Sequence, residues 1–178
     1  MTIKKLCYLV AMTTILFVQE EVLTVIPSVQ LTFFLIILYG ATVGIGYGSI
    51  IVVAHVLMDN LFMGSFVVWT IVPMIVGYEI TLTFGYLLRK KNEFIIAGSG
   101  VIAGLIYAAL FIPIGVFVYE QKLVPYIIAD IPFTLVLVTC NFITIAFLYK
   151  PMYKLLNRLL QGDKYVDPLE IKDEEETD

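Results

Sequence analysis

The sequence predicts an all-α integral membrane protein with six transmembrane helices and both termini cytoplasmic. Three observations predict it: the composition, a succession of apolar runs of spanning length, and a one-sided distribution of lysine and arginine. The chain has 178 residues, 60% apolar and only 15% charged. Soluble domains carry about 45–50% apolar and about 25% charged residues. A mean hydropathy of +0.95 describes a chain that a lipid bilayer can solvate and that water cannot.

A transmembrane helix needs about 20 mainly apolar residues. The first span runs from about Leu6 to Val25 and ends at Pro27, with Glu20 and Glu21 interrupting it near that end. Its start resembles a signal peptide, with Lys4 and Lys5 before an apolar run, but no small-residue cleavage site follows. The second span begins near Ser28 and continues through LTFFLIILYGATVG. The third covers about Ile45 to Phe62, with Gly40, Gly44, Gly46 and Gly48 marking the turn between the two. A polar stretch, MDNLFMGS (58–65), leads to a fourth span over about Val67 to Leu88. That span stops at Arg89-Lys90-Lys91-Asn92-Glu93, the internal charge cluster. The fifth runs from about Phe94 to Val118, and YEQKLVPY (119–126) forms a second polar loop. The sixth covers about Ile127 to Tyr149. These six spans make a transmembrane domain over residues 1–150. Residues 151–162, PMYKLLNRLL and its continuation, read as an amphipathic stretch along the membrane surface. Residues 163–178 read as a disordered acidic tail.

The net charge of -4 belongs to that tail, where eight acids and two lysines give -6. Residues 1–162 are left at +2, without a basic face for nucleic acid. In the short loops, Lys4, Lys5, Arg89, Lys90, Lys91, Lys150, Lys154 and Arg158 fall on one side and Lys122 on the other. Positive residues stay inside, so both ends are expected in the cytoplasm. No internal repeat of the kind found in many secondary transporters is visible.

Ionisable residues within spans are functional candidates. His55 and Asp59 are four residues apart and share a helix face; with Asn60 they form a polar patch at the outer end of the third span. That patch reads either as a ligand or proton site or as a pair that satisfies itself near the interface. Glu79, mid-span between Tyr78 and Ile80, reads as a packing or partner contact, or as part of a proton path. Tyr126 reads as an interfacial belt residue, and Trp69, the one tryptophan, as belt or pocket. Gly100-x-x-x-Gly104 and Cys7-x-x-x-Ala11 permit close helix packing. P-loop, HExxH and GxSxG motifs are missing, and one histidine is too few for a multi-histidine metal site. The chain is therefore expected to be neither an ATPase nor another enzyme, and to need no cofactor.

The segment IPSVQLTFFLIILYGATVGIGYGSIIVVAHVLMDNLFMGSF (26–66) resembles the substrate-binding S components of energy-coupling factor (ECF) vitamin transporters. The likeness lies in an Ile-Pro turn, a short second helix, a glycine-rich turn and a third helix ending in Asp or Asn. Chain length, six spans and inward termini fit the same family. The resemblance implies capture of a vitamin, with a cobalamin-type cargo as the best match, at the multi-pass cell membrane of a prokaryote. It implies as partners a membrane-embedded T subunit and two ATPase subunits. It places the pocket at Pro27, Ser28, Gln30, Asn60, Met63, Ser65, Trp69, Thr70, Tyr107, Phe111, Asp130 and Thr134. The family's small-residue docking pair falls at Cys7 and Ala11, where the cysteine departs from the usual alanine. With Lys122 the lone fixed cation of the outer layer, a large, mostly neutral ligand is expected over an anionic one. Three other readings stand beside this one: a stand-alone secondary transporter with a His55/Asp59/Glu79 proton path, a non-transporting scaffold, and a membrane enzyme built on His55 and Asp59.

Overall fold

The computed structural model describes residues 3–23, 30–64 and 66–161. Pro27, Ser28 and Ser65, which the sequence assigns to the site, and the acidic tail at 163–178 lie outside the described residues. Those described form five helices and no strand: α1 (Ile3–Leu23), α2 (Thr32–Phe62), α3 (Val68–Leu88), α4 (Glu93–Phe117) and α5 (Leu123–Gln161). All five are long and apolar enough to cross a membrane. Exposed large apolar side chains, among them Val10, Val18, Val72, Ile102, Leu135 and Phe147, cover the bundle as a lipid-facing surface would.

Five helices replace the six runs expected because the second and third runs share one helical element. The glycine-rich turn is reduced to a single residue, Gly44, at φ 80 and ψ 176 inside α2, a region that only glycine enters without strain. The contacts on α3 change direction at this point. Before Gly44, Phe33 packs on Tyr78, Ile37 meets Gly85 and Gly40 lies against Leu82 and Tyr86, so the strand of contacts ascends in both helices. After it, Gly48 meets Leu82, Ser49 bonds Glu79 and Asn60 reaches Met74. The chain doubles back within α2.

The first limb of α2 is the post around which the others pack. Residues 32–41 are buried without exception, as expected of a helix that is apolar on every side. Glycines bring α3 against it: a Cβ at Gly40 would strike the Leu82 carbonyl, and one at Gly85 the Ile37 carbonyl. The limb starts with help from α1, whose Gln19 accepts from the Leu31 amide (3.0 Å) and donates to Thr32 Oγ1 (2.8 Å). A helix N-terminus needs such acceptors for its free amides. Tyr39 donates to the Met12 carbonyl further down.

Asn92 caps α4, its side chain accepting from the Phe94 amide. Gly100 and Gly104 face α5, against Ile145 and Asn141, as the small-residue spacing suggests. The last helix passes through Lys150 and Pro151 without a break, so the amphipathic stretch is its continuation. Tyr149, Tyr153 and Asn157 face inward along it. Tyr8 donates to the Leu159 carbonyl and Lys5 lies over the Tyr47 ring. Near Gly44, Tyr86 approaches and carries Arg89 over its ring. One end of the bundle therefore collects the start of α1, the α2 reversal, the end of α3 and the end of α5.

Candidate ligand-binding site

At the opposite end, α4 and α5 part around a cavity of about 350 Å³. It is lined by Gln30, Tyr107, Ala108, Phe111, Tyr126, Asp130, Phe133, Thr134 and Leu137. Both walls carry a proline beside it, Pro113 in α4 and Pro132 in α5. Each proline frees a carbonyl one turn earlier, which membrane helices accommodate when polar groups or neighbouring helices are at hand. Gly115 lets the Tyr126 ring lie close against α4, where any Cβ would collide with it. Tyr126 is thus a wall of the cavity and only partly buried, not simply a belt residue. Inside, Thr134 Oγ1 donates to Asp130 Oδ2 at 2.7 Å, one helical turn away. Tyr107 and Phe111 meet at 5.1 Å between ring centroids and 46°. Asp130 and Thr134 also border a second, more apolar hollow of about 280 Å³ on the other side of the α4–α5 seam.

Five of the twelve residues assigned to the pocket, Gln30, Tyr107, Phe111, Asp130 and Thr134, converge on this cavity. Four others do not line it. Asn60 is buried and donates to the Val56 carbonyl and Met74 Sδ, which makes it a helix-packing residue. Met63 and Trp69 are 55% and 63% exposed, on the outer surface near the α2–α3 connection. Thr70 bonds the Val67 carbonyl at the start of α3. The remaining three, Pro27, Ser28 and Ser65, lie outside the described residues. Cys7 and Ala11 are both exposed on α1, one helical turn apart on a face that none of the described helices covers.

Behind the cavity lies a layer of polar groups that the sequence reading did not assemble. Gln30 leads directly into Leu31 and Thr32, which Gln19 holds. Thr32 Oγ1 then donates to Glu20 Oε2 at 3.0 Å, and His55 Nε2 stands 2.9 Å from the same oxygen. His55 is fully buried and Asp59 nearly so. Among the described residues, both His55 nitrogens and Asp59 Oδ1 are buried without a hydrogen-bond partner, so the approach of Nε2 to Glu20 is a close ion-pair contact rather than an aligned hydrogen bond. A stack of rings links the two layers: Tyr107 lies on Tyr78 (5.1 Å, 18°) and Tyr78 neighbours His55 (6.0 Å). The partner of His55 is thus Glu20 on another helix. The missed signal was available: Gln19-Glu20-Glu21 is a polar run inside an apolar span, where ionisable groups point inward or to function.

Glu79 belongs elsewhere. Ser49 donates to its Oε2 at 2.8 Å, and it lines an outward groove with Ile75, Val76, Ile80, Thr83 and Phe84. A further hollow of about 320 Å³ lies at the other end of the bundle, between Lys5, Tyr8, Leu9, Thr42, Val43, Tyr47 and Leu160. Its place beside the termini separates it from the aromatic cavity.

Comparison with protein-family models, with curated proteins and with solved structures finds no match.

Proposed function

We propose that the chain is the substrate-binding subunit of an ECF-type importer, capturing a vitamin-like small molecule from outside for uptake driven by partner subunits. The observation that carries this reading is the convergence of Gln30, Tyr107, Phe111, Asp130 and Thr134 on one cavity. Ligand sites are concave, mostly apolar and aromatic, with a few placed polar groups, and this cavity has that character. Six spans follow if each limb of α2 crosses on its own, and the cavity then lies in the outer half. The basic residues Lys5, Arg89 and Arg158 sit at or near the end that collects the start of α1 and the end of α5, in keeping with inward termini in a prokaryotic cell membrane. The small, exposed pair Cys7 and Ala11 offers a close-approach surface to a membrane-embedded T subunit, and two ATPase subunits complete the assembly. At about 350 Å³ the cavity is at the low end of the range of roughly 300–1,000 Å³ for ligand pockets. That size favours a compact cargo over the cobalamin-type ligand suggested by the 26–66 segment.

The proton-path reading keeps His55 and Asp59, now with Glu20, but its third member Glu79 opens on a different face. The test is co-purification of the tagged chain with its native neighbours, followed by mass spectrometry. The expected result is an ATPase pair, a second membrane subunit and a bound small molecule, with the proteins lost on Ala11→Trp while the chain stays folded. Elution alone, with solute movement in liposomes that needs no ATP, overturns the reading.

A further inference from the structure

The geometry points to an organic cation as the ligand of the aromatic cavity: a compact molecule with a quaternary or protonated nitrogen, or a cationic heteroaromatic ring. This rests on the substrate-binding reading above and names the class of substrate. It also replaces the neutral ligand expected from loop charges alone.

Four rings, Tyr107, Phe111, Tyr126 and Phe133, line the cavity together with one carboxylate, Asp130, and none of the lining residues is basic. Aromatic faces are electronegative and attract cations that lose their water. The carboxylate adds a full charge at the same wall, oriented by the Thr134 hydroxyl. Tyr107 and Phe111 meet at 46° and form an angled corner, a shape suited to a rounded or flat cationic group.

The layer behind the wall is also rich in carboxyl groups, with Asp59 and Glu21 joined by a side-chain hydrogen bond. Glu20 and Asp59 face His55, the one basic group among them, and Glu21 adjoins Glu20 in the chain. The layer thus holds three carboxyl groups and one imidazole, with Tyr78 between His55 and Tyr107. Tyr107, which lines the cavity with Asp130, stacks on Tyr78, and Tyr78 neighbours His55. The fixed cation of the outer loops, Lys122, is exposed before the start of α5. An anion entering the cavity would meet a carboxylate with no donor of opposite charge. A neutral ligand would take water from Asp130 and return no charge, which is costly in a low-dielectric site. A cation does neither.

The test uses the full chain, purified and reconstituted in lipid nanodiscs, with thermal unfolding followed as probes are added. Thiamine, tetraethylammonium and spermidine serve as cations, riboflavin and pyridoxine as neutral molecules, and folate and pantothenate as anions. The expected result is stabilisation by one or more of the cations only. Asp130→Asn weakens that binding about tenfold or more, a tenfold change being the measure of one lost interaction of this kind. Asp130→Glu, which keeps the charge, retains most of it, and this separates loss of charge from misfolding. Stabilisation by a neutral or anionic probe, or cation binding unmoved by Asp130→Asn, overturns the inference and leaves the substrate-binding function standing. Stabilisation by no probe of any class overturns both.

Discussion

His55 shows how much a buried polar side chain depends on one partner. Its imidazole is fully enclosed, and its Nε2 rests 2.9 Å from a carboxylate on another helix. Deleting one side of such a pair strands the other in a medium that solvates it poorly. Glu20→Gln and His55→Gln should each lower the unfolding midpoint, and the double variant should cost less than the two together. A double-mutant cycle should return a coupling on the order of 1 kcal/mol, within the range measured for polar contacts inside membranes. Additive losses would show that the two side chains are neighbours without an interaction. At this scale the sequence was half readable. His55 and Asp59 stood out because an ionisable residue in an apolar span is rare. Their connection to Glu20 did not, since that contact joins positions 35 apart in the chain and exists only once α1 and the second limb of α2 lie together. Asp130 and Thr134 were named separately, as pocket positions that the resemblance implies, whereas Phe133 carries no local mark that separates a cavity wall from a lipid-facing ring.

The fourth and fifth spans were legible almost to the residue, whereas the sixth, expected over Ile127–Tyr149, begins four residues earlier, inside the stretch read as a loop, and runs on to Gln161. Expected spans at Val67–Leu88 and Phe94–Val118 became Val68–Leu88 and Glu93–Phe117, because a long apolar run bounded by charge has few other solutions in lipid. The reversal inside α2 was legible only as a place. Four glycines crowd residues 40–48, and pattern alone does not say which one turns the chain. The structure assigns that task to Gly44 through its backbone angles, while Gly46 has open space where a Cβ would go. Gly44→Ala should therefore destabilise by about 1–3 kcal/mol, the usual cost of a side chain in such a conformation. Gly46→Ala should stay within about 0.5 kcal/mol of the parent. Thermal unfolding of the two variants side by side checks both values, and equal losses would mean that the reversal is not anchored at Gly44. The end of the last helix was misread for a physical reason. Proline after a lysine looks like a stop, but Pro151 can sit within a helix whose neighbours or headgroups satisfy the freed carbonyl.

The whole molecule is polarised along its axis. One end gathers the first turns of α1, the α2 reversal and the basic end of α3; the other holds the aromatic cavity and its acidic backing. In a bilayer this polarity sets an orientation, because lysine and arginine resist translocation. In a cysteine-free background, Lys122→Cys in intact cells should react with a membrane-impermeant maleimide. Lys91→Cys should react only after the membrane is opened. The opposite pattern would invert the molecule and move the cavity to the cytoplasmic side.

The glycines that seat α3 against α2 leave unequal room for inheritance. At Gly40 and Gly85 the obstacle is a carbonyl of the facing helix, Leu82 and Ile37 in turn, and no exchange of side chains moves a backbone out of the way. At Gly48 the obstacle is the Leu82 side chain alone, and a smaller residue at 82 would make space for an alanine at 48. Lineages descending from this sequence are free to trade positions 48 and 82 as a pair, while 40 and 85 stay fixed for as long as the two helices keep their distance.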